Sequence, residues 1–423
     1  MLIQFSVENY RSIREKQTFS LVASADKHRR DTHVSASSAP ATPDLLRSAI
    51  VYGANAAGKS NLLRALAVMV QLVRGTAGAS RQPRLPYEPF LLDEESATSG
   101  TWFEVAFVQD GVRYQFGVRY NAERILYEAL YAYPEGRPQR WYSRAYNASG
   151  EDEYEYGGML RGQKKVWQEA TRPNALFLTT AVSLNSDQLQ SVFSWFDTKV
   201  RPIHPFARIG SDYTVSSSQE NAERKRRVLE FLGQADLGIG DFVVKTTPFD
   251  VSTIPEDAPD HIRQFVRHAM TDKMLQEVSF LHRTRSGFEA FLDLEEESGG
   301  TKKLFELAGP WVDTLENGYL LLIDELDTSL HPVMLQYLVK MFHDPEINLR
   351  GAQLVFTTHD TNVMGFFRRD QMWLMDKDAE LSSALVPLSD FSPRKNENME
   401  KGYLEGRFGG LPFVGSPVFS FKG

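Results

Sequence analysis

Gly53-Ala-Asn-Ala-Ala-Gly58-Lys59-Ser60 is the stretch on which the reading of this chain turns. It follows the apolar run Ile50-Val51-Tyr52, a predicted strand, and opens a predicted helix from about Lys59 to Val73. That helix carries apolar residues at Leu62, Leu63, Leu66, Val70 and Val73. Strand, glycine turn and helix in this order make a phosphate cradle. The glycines let backbone N–H groups face phosphate oxygens, and the helix amino terminus adds its partial positive charge. Gly53, Asn55, Gly58, Lys59, Ser60 and Asn61 are the expected binding set. In it the Lys59 ammonium reaches the terminal phosphates and the Ser60 hydroxyl ligates Mg²⁺.

Working outward, Tyr319-Leu-Leu-Leu-Ile-Asp324-Glu325 is an apolar strand ending in two carboxylates. Buried acids need partners, and a metal ion and a water are suitable ones. Asp324 is placed at the metal shell and Glu325 at the attacking water. Thr357-Thr358-His359-Asp360 follows the strand Gln353 to Phe356, and the carboxyl end of a parallel strand is where open α/β sheets bind ligands. Glu297-Ser298-Gly299-Gly300-Thr301 precedes a helical stretch, Lys302 to Leu315, and reads as a second anion-binding amino terminus. One nucleotide needs one cradle, so a second makes sense if it caps the nucleotide of another subunit.

The rest of the 423 residues sets the frame. A chain of this length exceeds one hydrophobic core, so two lobes or a large insertion are expected. Its 42% hydrophobic residues exclude disorder throughout, and a net charge of −8 excludes a generally basic nucleic-acid coat. The absence of cysteine excludes disulfides and thiolate chemistry. Apolar runs such as Tyr319 to Ile323 and Ala175 to Leu178 are far shorter than a membrane span, and the start lacks a signal-peptide centre, so a soluble cytoplasmic protein is expected.

Strands are predicted over Leu2 to Val7 and Thr18 to Val22, with a surface loop over Asp26 to Asp44. An antiparallel sheet is expected over 101–146, with a hairpin turn at Gln109-Asp110-Gly111. Residues 160–280 read as mainly helical. After Phe288, FEAFLDL opens a rhythm of strands and helices expected of a parallel sheet. The fold class is α/β. Residues 1–145 and 286–423 form two halves of one nucleotide-binding domain, and 146–285 a helical insertion lobe; the tail Ser392 to Gly423 has no clear place. The basic run Arg224-Lys225-Arg226-Arg227, and with it Lys27 to Arg30, could grip phosphates of DNA or RNA, although such runs are usually solvated faces.

The order phosphate loop, ESGGT, LLLIDE, Leu326-Asp327-Thr328-Ser329-Leu330-His331-Pro332 and TTHD resembles the ABC-type ATPases of the SMC, RecF and OLD branch. Asn9-Tyr10-Arg11-Ser12-Ile13 resembles that branch's amino-terminal element. The phosphate loop, DELDTSLHP, RRDQMWLMDKD and Gly402 to Pro412 are similar to bacterial OLD-like AAA-type ATPases of the RloA and abortive-infection kind. The resemblance implies an ABC-type P-loop fold with ATP and Mg²⁺ between two subunits of a head-to-tail homodimer. It implies that Arg11 approaches the phosphates, that Ser298, Gly299 and Gly300 reach the partner's γ-phosphate, and that Asp327 acts across the interface. His359 would touch the γ-phosphate. Gln109, Gln115 and Gln188 are candidates for the glutamine that completes the metal site. After His359 only Asp376, Asp378 and Glu380 could serve a two-metal nuclease site, so a separate effector, a nuclease above all, is implied in an anti-phage system. The alternatives are a RecF-like DNA-repair clamp and the nucleotide subunit of a transporter.

Overall fold

The computed structural model describes residues 1–75, 84–203, 210–235, 238–248, 259–261, 263–264, 266, 274–284, 286–391 and 398–411. The chain divides into two compact units, Met1–Arg208 with Thr314–Gly423, and Ile209–Asp313.

The first unit is built on a six-stranded sheet in the order Val200–Ile203, Leu320–Ile323, Gln353–Thr357, Ser48–Gly53, Met372–Lys377, Ser383–Pro387. All neighbours run parallel except the last pair, whose antiparallel register sets Trp373 opposite Pro387. The central strands are apolar along their whole length because helices cover both faces of a parallel sheet. Ala49, Ile50, Val51, Leu321, Leu354 and Phe356 are accordingly all buried. The helix Lys59–Gly75 starts at the expected residue and buries Leu62, Leu66, Val70 and Val73.

A seven-stranded antiparallel sheet accompanies it and contains Leu2–Glu8, Gln17–Ser20 and the five strands between Thr101 and Tyr156. The expected hairpin joins Thr101–Gln109 to Val112–Tyr120. Asp110 and Gly111 both have positive φ (49° and 73°), as a two-residue loop that matches strand twist requires.

Four expectations are corrected. Residues 146–208 belong to the first unit, because Trp195 stacks on Phe107 with ring centroids 4.1 Å apart and Phe196 packs edge-on against Phe116. The 160–280 region carries the expected helices, Asp187–Ser194 and Ala222–Gly233 among them, but it also holds the unexpected strands Ile239–Pro248 and Met274–Arg283. FEAFLDL is not a buried parallel strand. Glu289–Asp293 pairs antiparallel with Met274–Arg283 and is largely exposed, its alternating pattern having been masked by Phe288, Phe291 and Leu292 on the surface. The stretch Asp26 to Asp44 is partly ordered, with a short helix Arg30–His33 and buried His33, Val34 and Ala39. Of the tail, only 398–411 is described; Ser392 to 397, Pro412 and the end at Gly423 lie outside the described residues.

The second unit holds the three-stranded antiparallel sheet Ile239–Pro248, Met274–Arg283, Glu289–Asp293, and the helices Asp212–Glu220 and Ala222–Gly233. Phe242, Phe280 and Phe305 pack edge-to-face as its core. The dividing point falls inside the helix Gly299–Asn317.

Candidate functional site

Three motifs stand at the carboxyl ends of three neighbouring parallel strands. The glycine turn follows Ser48–Gly53, the histidine follows Gln353–Thr357, and the paired acids follow Leu320–Ile323. This is where open α/β sheets form ligand crevices.

The turn has a backbone few residues can adopt. Ala56 and Gly58 have φ of 62° and 110°, and a Cβ on Gly58 would lie 2.2 Å from Ser383 Oγ. Only glycine fits there. The first helical bonds, Asn61 N–H and Leu62 N–H to Gly58 O, leave the preceding N–H groups of the first turn facing the loop. Lys59 is 6% exposed, and its Nζ donates to Gly53 O (2.8 Å) and Ala54 O (3.1 Å). Burial lowers the pKa of this ammonium, while the negative charges of Asp324, Glu325 and Asp327 oppose the shift. The cradle's cation and the carboxylates of the distant acidic run therefore share one electrostatic field. Ser60 is half-buried on the first turn and Asn55 is exposed on the loop.

Thr357 joins the acidic run to the histidine strand, and sequence reasoning gave it no role. Its Oγ1 donates to Asp324 Oδ1 (2.5 Å) and accepts from Glu325 N–H (2.8 Å), while its carbonyl accepts from Leu326 N–H (3.1 Å). Asp324 is thereby held nearly buried, and Glu325 is exposed with φ of 51°, an uncommon conformation for a non-glycine residue. Asp327 Oδ2 accepts from His359 N–H (3.2 Å), and its buried Oδ1 has no hydrogen-bond partner among the described residues. The His359 side chain is exposed.

Arg11 lies beside the cradle. Its Nε donates to Glu88 Oε2 (2.7 Å) and its Nη1 to Asn61 Oδ1 (3.2 Å). Asn61 Nδ2 donates to Ser12 Oγ (2.8 Å), Ser12 Oγ lies 2.7 Å from Ser383 Oγ, and Ser383 donates to Ala57 O (2.6 Å). The amino-terminal element is thus wired to the loop through Ser383 and Asn61, while Glu88 holds Arg11; neither Ser383 nor Glu88 carries a sequence signal. The tail also comes here. Tyr403 packs on Tyr52 at 5.7 Å, Asp376 Oδ2 accepts from Gly410 N–H (2.9 Å), and a Cβ on Gly410 would lie 3.7 Å from Gly53 Cα.

Ser298 is the side-chain cap of Gly299–Asn317, accepting from Thr301 N–H at 3.1 Å. Ser298 and Gly299 are exposed, Gly300 is half-buried, and a Cβ on Gly299 would meet nothing within 4 Å. The three candidate glutamines are each hydrogen-bonded away from the glycine turn and the acidic run. Gln109 donates to Asp110, Gln115 accepts from Tyr133, and Gln188 bonds the backbone of Met159 and Arg161. Each residue of the basic run is ion-paired: Arg224 with Asp313 (2.9 Å), Lys225 with Asp241 (2.7 Å), Arg227 with Glu223 (3.3 Å), and Arg226 with Glu223 and Glu230.

No helix among the described residues is long and apolar enough to cross a membrane. No curated protein matches the chain. Among solved structures, it is similar to an SMC head domain from Thermotoga maritima. The identity is 14%, the match covers 91% of this chain and 98% of that one, and the TM-score is 0.39. It is also similar to the recombination mediator RecF bound to ATP, at 13% identity, with 84% and 93% of the chains covered and a TM-score of 0.35. The family profile described as "AAA domain, putative AbiEii toxin, Type IV TA system" matches residues 48–365, well over half the chain and all the strand-end motifs above. The abortive-infection kinship expected from the motifs is borne out, and the chain belongs to this AAA family.

Proposed function

We propose that this protein binds ATP with Mg²⁺ in the cradle Gly53 to Asn61 and hydrolyses it between two copies of the chain. The observation that carries the reading is the placement of Lys59 in the field of Asp324, Glu325 and Asp327 at the ends of neighbouring strands. The Lys59 ammonium rests on two loop carbonyls, and an incoming phosphate replaces them. Ser60 and Asp324 would hold the metal, which would supply screening of the phosphate charge; one Asp324 oxygen is already committed to Thr357. Glu325 orients and deprotonates the attacking water, and His359 donates a hydrogen bond to the γ-phosphate. Arg11, turned by Glu88, approaches the phosphates.

A second subunit is supported by the capped helix start at Ser298 to Gly300, where Ser298 and Gly299 are exposed with open space over Gly299, and by Asp327 Oδ1, which has no partner among the described residues. Each copy lends its helix start to the nucleotide of the other. On family grounds, the closed dimer acts as sensor and regulator in an anti-phage complex, and a separate effector, a nuclease by the same kinship, carries out the damage.

The test is light scattering with ATP and Mg²⁺. Glu325→Gln is expected to bind ATP, turn over at least a hundredfold more slowly, and accumulate as a dimer. Lys59→Ala is expected to stay monomeric and bind no nucleotide. A Glu325→Gln protein saturated with ATP that remains monomeric would falsify the shared-site reading.

A further inference from the structure

Four carboxylates stand within the five residues Asp293-Leu-Glu-Glu-Glu297, directly before the helix start Ser298 to Gly300. Such a run is a poor neighbour for a helix start that is to receive phosphate, because carboxylates are themselves drawn to the free N–H groups of a first helical turn. Those groups are open here. Ser298 Oγ takes the Thr301 N–H (3.1 Å) and Ser298 O the Lys302 N–H (3.0 Å), while the N–H groups of Gly299 and Gly300 have no acceptor among the described residues. A carboxylate that reached them would take the place of the phosphate.

Each acid is held elsewhere. Asp293 Oδ1 accepts from Ser279 Oγ (2.6 Å), Glu296 Oε2 from Asp293 N–H (3.1 Å), and Glu295 Oε2 from Lys302 Nζ (3.2 Å). These three residues are exposed, so solvent and salt screen them as well. Glu297 differs. Its side chain is 9% exposed, and a carboxylate so withdrawn from water needs a partner. The one it has among the described residues is His282, whose Nε2 lies 2.6 Å from Glu297 Oε1. A carboxylate can only accept, so this ring nitrogen carries the proton and donates it. His282 stands on the central strand of the three-stranded sheet, opposite Ile239 on one side and Ala290 on the other, and its backbone is therefore fixed by two neighbours.

We infer that His282 is a positioning residue of the shared nucleotide site: it pins the Glu297 carboxylate to the sheet and so keeps the helix start at Ser298 to Gly300 open for the γ-phosphate held by the other copy. This role rests on the two-copy reading above. Released from His282, the Glu297 carboxylate turns to the free first-turn N–H groups and sets a negative charge where that phosphate must lie. Binding of ATP to the cradle of a single copy does not involve this pair, so the effect falls on turnover alone.

The experiment is a double-mutant cycle read on steady-state ATP turnover of the full chain at a series of protein concentrations. Wild-type turnover per chain is expected to rise with protein concentration, as a site shared by two copies requires. His282→Ala should lower turnover about tenfold or more and leave the affinity of a single copy for ATP unchanged. In a Glu297→Gln chain, where no charge is left to hold, His282→Ala should change turnover by less than about twofold. A histidine that merely stabilises its sheet costs the same in both chains, and that result overturns the inference. Unchanged turnover of His282→Ala in the otherwise wild-type chain overturns it too. Should His282→Ala not fold, His282→Asn, too short to reach the carboxylate, takes its place in both arms. Wild-type turnover per chain that is independent of protein concentration overturns the two-copy reading itself, and the role of His282 with it.

Discussion

Two glycine-rich helix starts in this molecule look alike in sequence and differ in structure. At Gly58 a Cβ would collide with Ser383 Oγ at 2.2 Å, whereas at Gly299 it would meet nothing within 4 Å. The first glycine is demanded by the chain's own fold. The second is not: no described residue approaches it. The helix start at Gly299 is capped and exposed with room above it, as the proposed shared site would require, while the turn at Gly58 is closed in by its own chain.

An added methyl group should affect the two helix starts in opposite ways. Gly58→Ala puts a side chain at φ of 110° and into Ser383, so a loss of about 2 kcal/mol or more in urea unfolding is expected, together with loss of ATP binding. Gly299→Ala should leave stability unchanged or raise it by up to about 0.5–1 kcal/mol, since alanine favours a helix. Its ATP affinity as a monomer should be unaltered while steady-state turnover falls at least tenfold. A Gly299→Ala protein with full ATPase activity would remove the reason for a second subunit.

Thr357→Val tests the finished side of the comparison. It keeps the shape but removes both hydroxyl bonds to the acidic run, one to Asp324 and one from Glu325 N–H. A cost of about 1–3 kcal/mol is expected, with a fall in kcat of about tenfold and little change in ATP affinity. Unchanged kcat would show that Asp324 and Glu325 do not depend on this latch.

A smaller, pH-dependent effect lies at the opposite ends of the same strands, where Ser48 opens the strand that ends in the phosphate loop. His33 and His343 stack at 3.6 Å, with His343 Nε2 2.7 Å from Ser48 Oγ. Burial pushes His33 down to about 4, aided by Arg29, Arg368 and His28, and opposed by a bond to Phe366 O. Burial, then His33, Arg29 and Arg47, hold His343 well below its ordinary value. The unfolded chain binds these protons near pH 6.5 and the folded chain does not, so their contribution is complete above pH 6.5 and is lost as the pH falls toward 4. A loss on the order of 2 kcal/mol is expected over that window, measured by urea titration. His33→Phe should flatten the profile.

The motifs were readable from sequence because their chemistry is local. A phosphate loop needs glycines at fixed spacing between a strand and a helix, and Gly53 to Ser60 carry that spacing within eight residues. The Asp110-Gly111 turn and the start of the helix at Lys59 follow from the same short-range rules. The second unit was misread because exposed Phe288, Phe291 and Leu292 imitate a buried strand, and hydropathy cannot tell which face of a strand meets water. Thr357, Ser383, Glu88 and the tail at Gly410 were invisible for a different reason. Each acts through hydrogen bonds or close contacts to a segment far away in the chain, and a serine or threonine has no distinguishing neighbours in sequence. Local backbone chemistry could name the groups; only packing of distant strands could say which oxygen each of them faces.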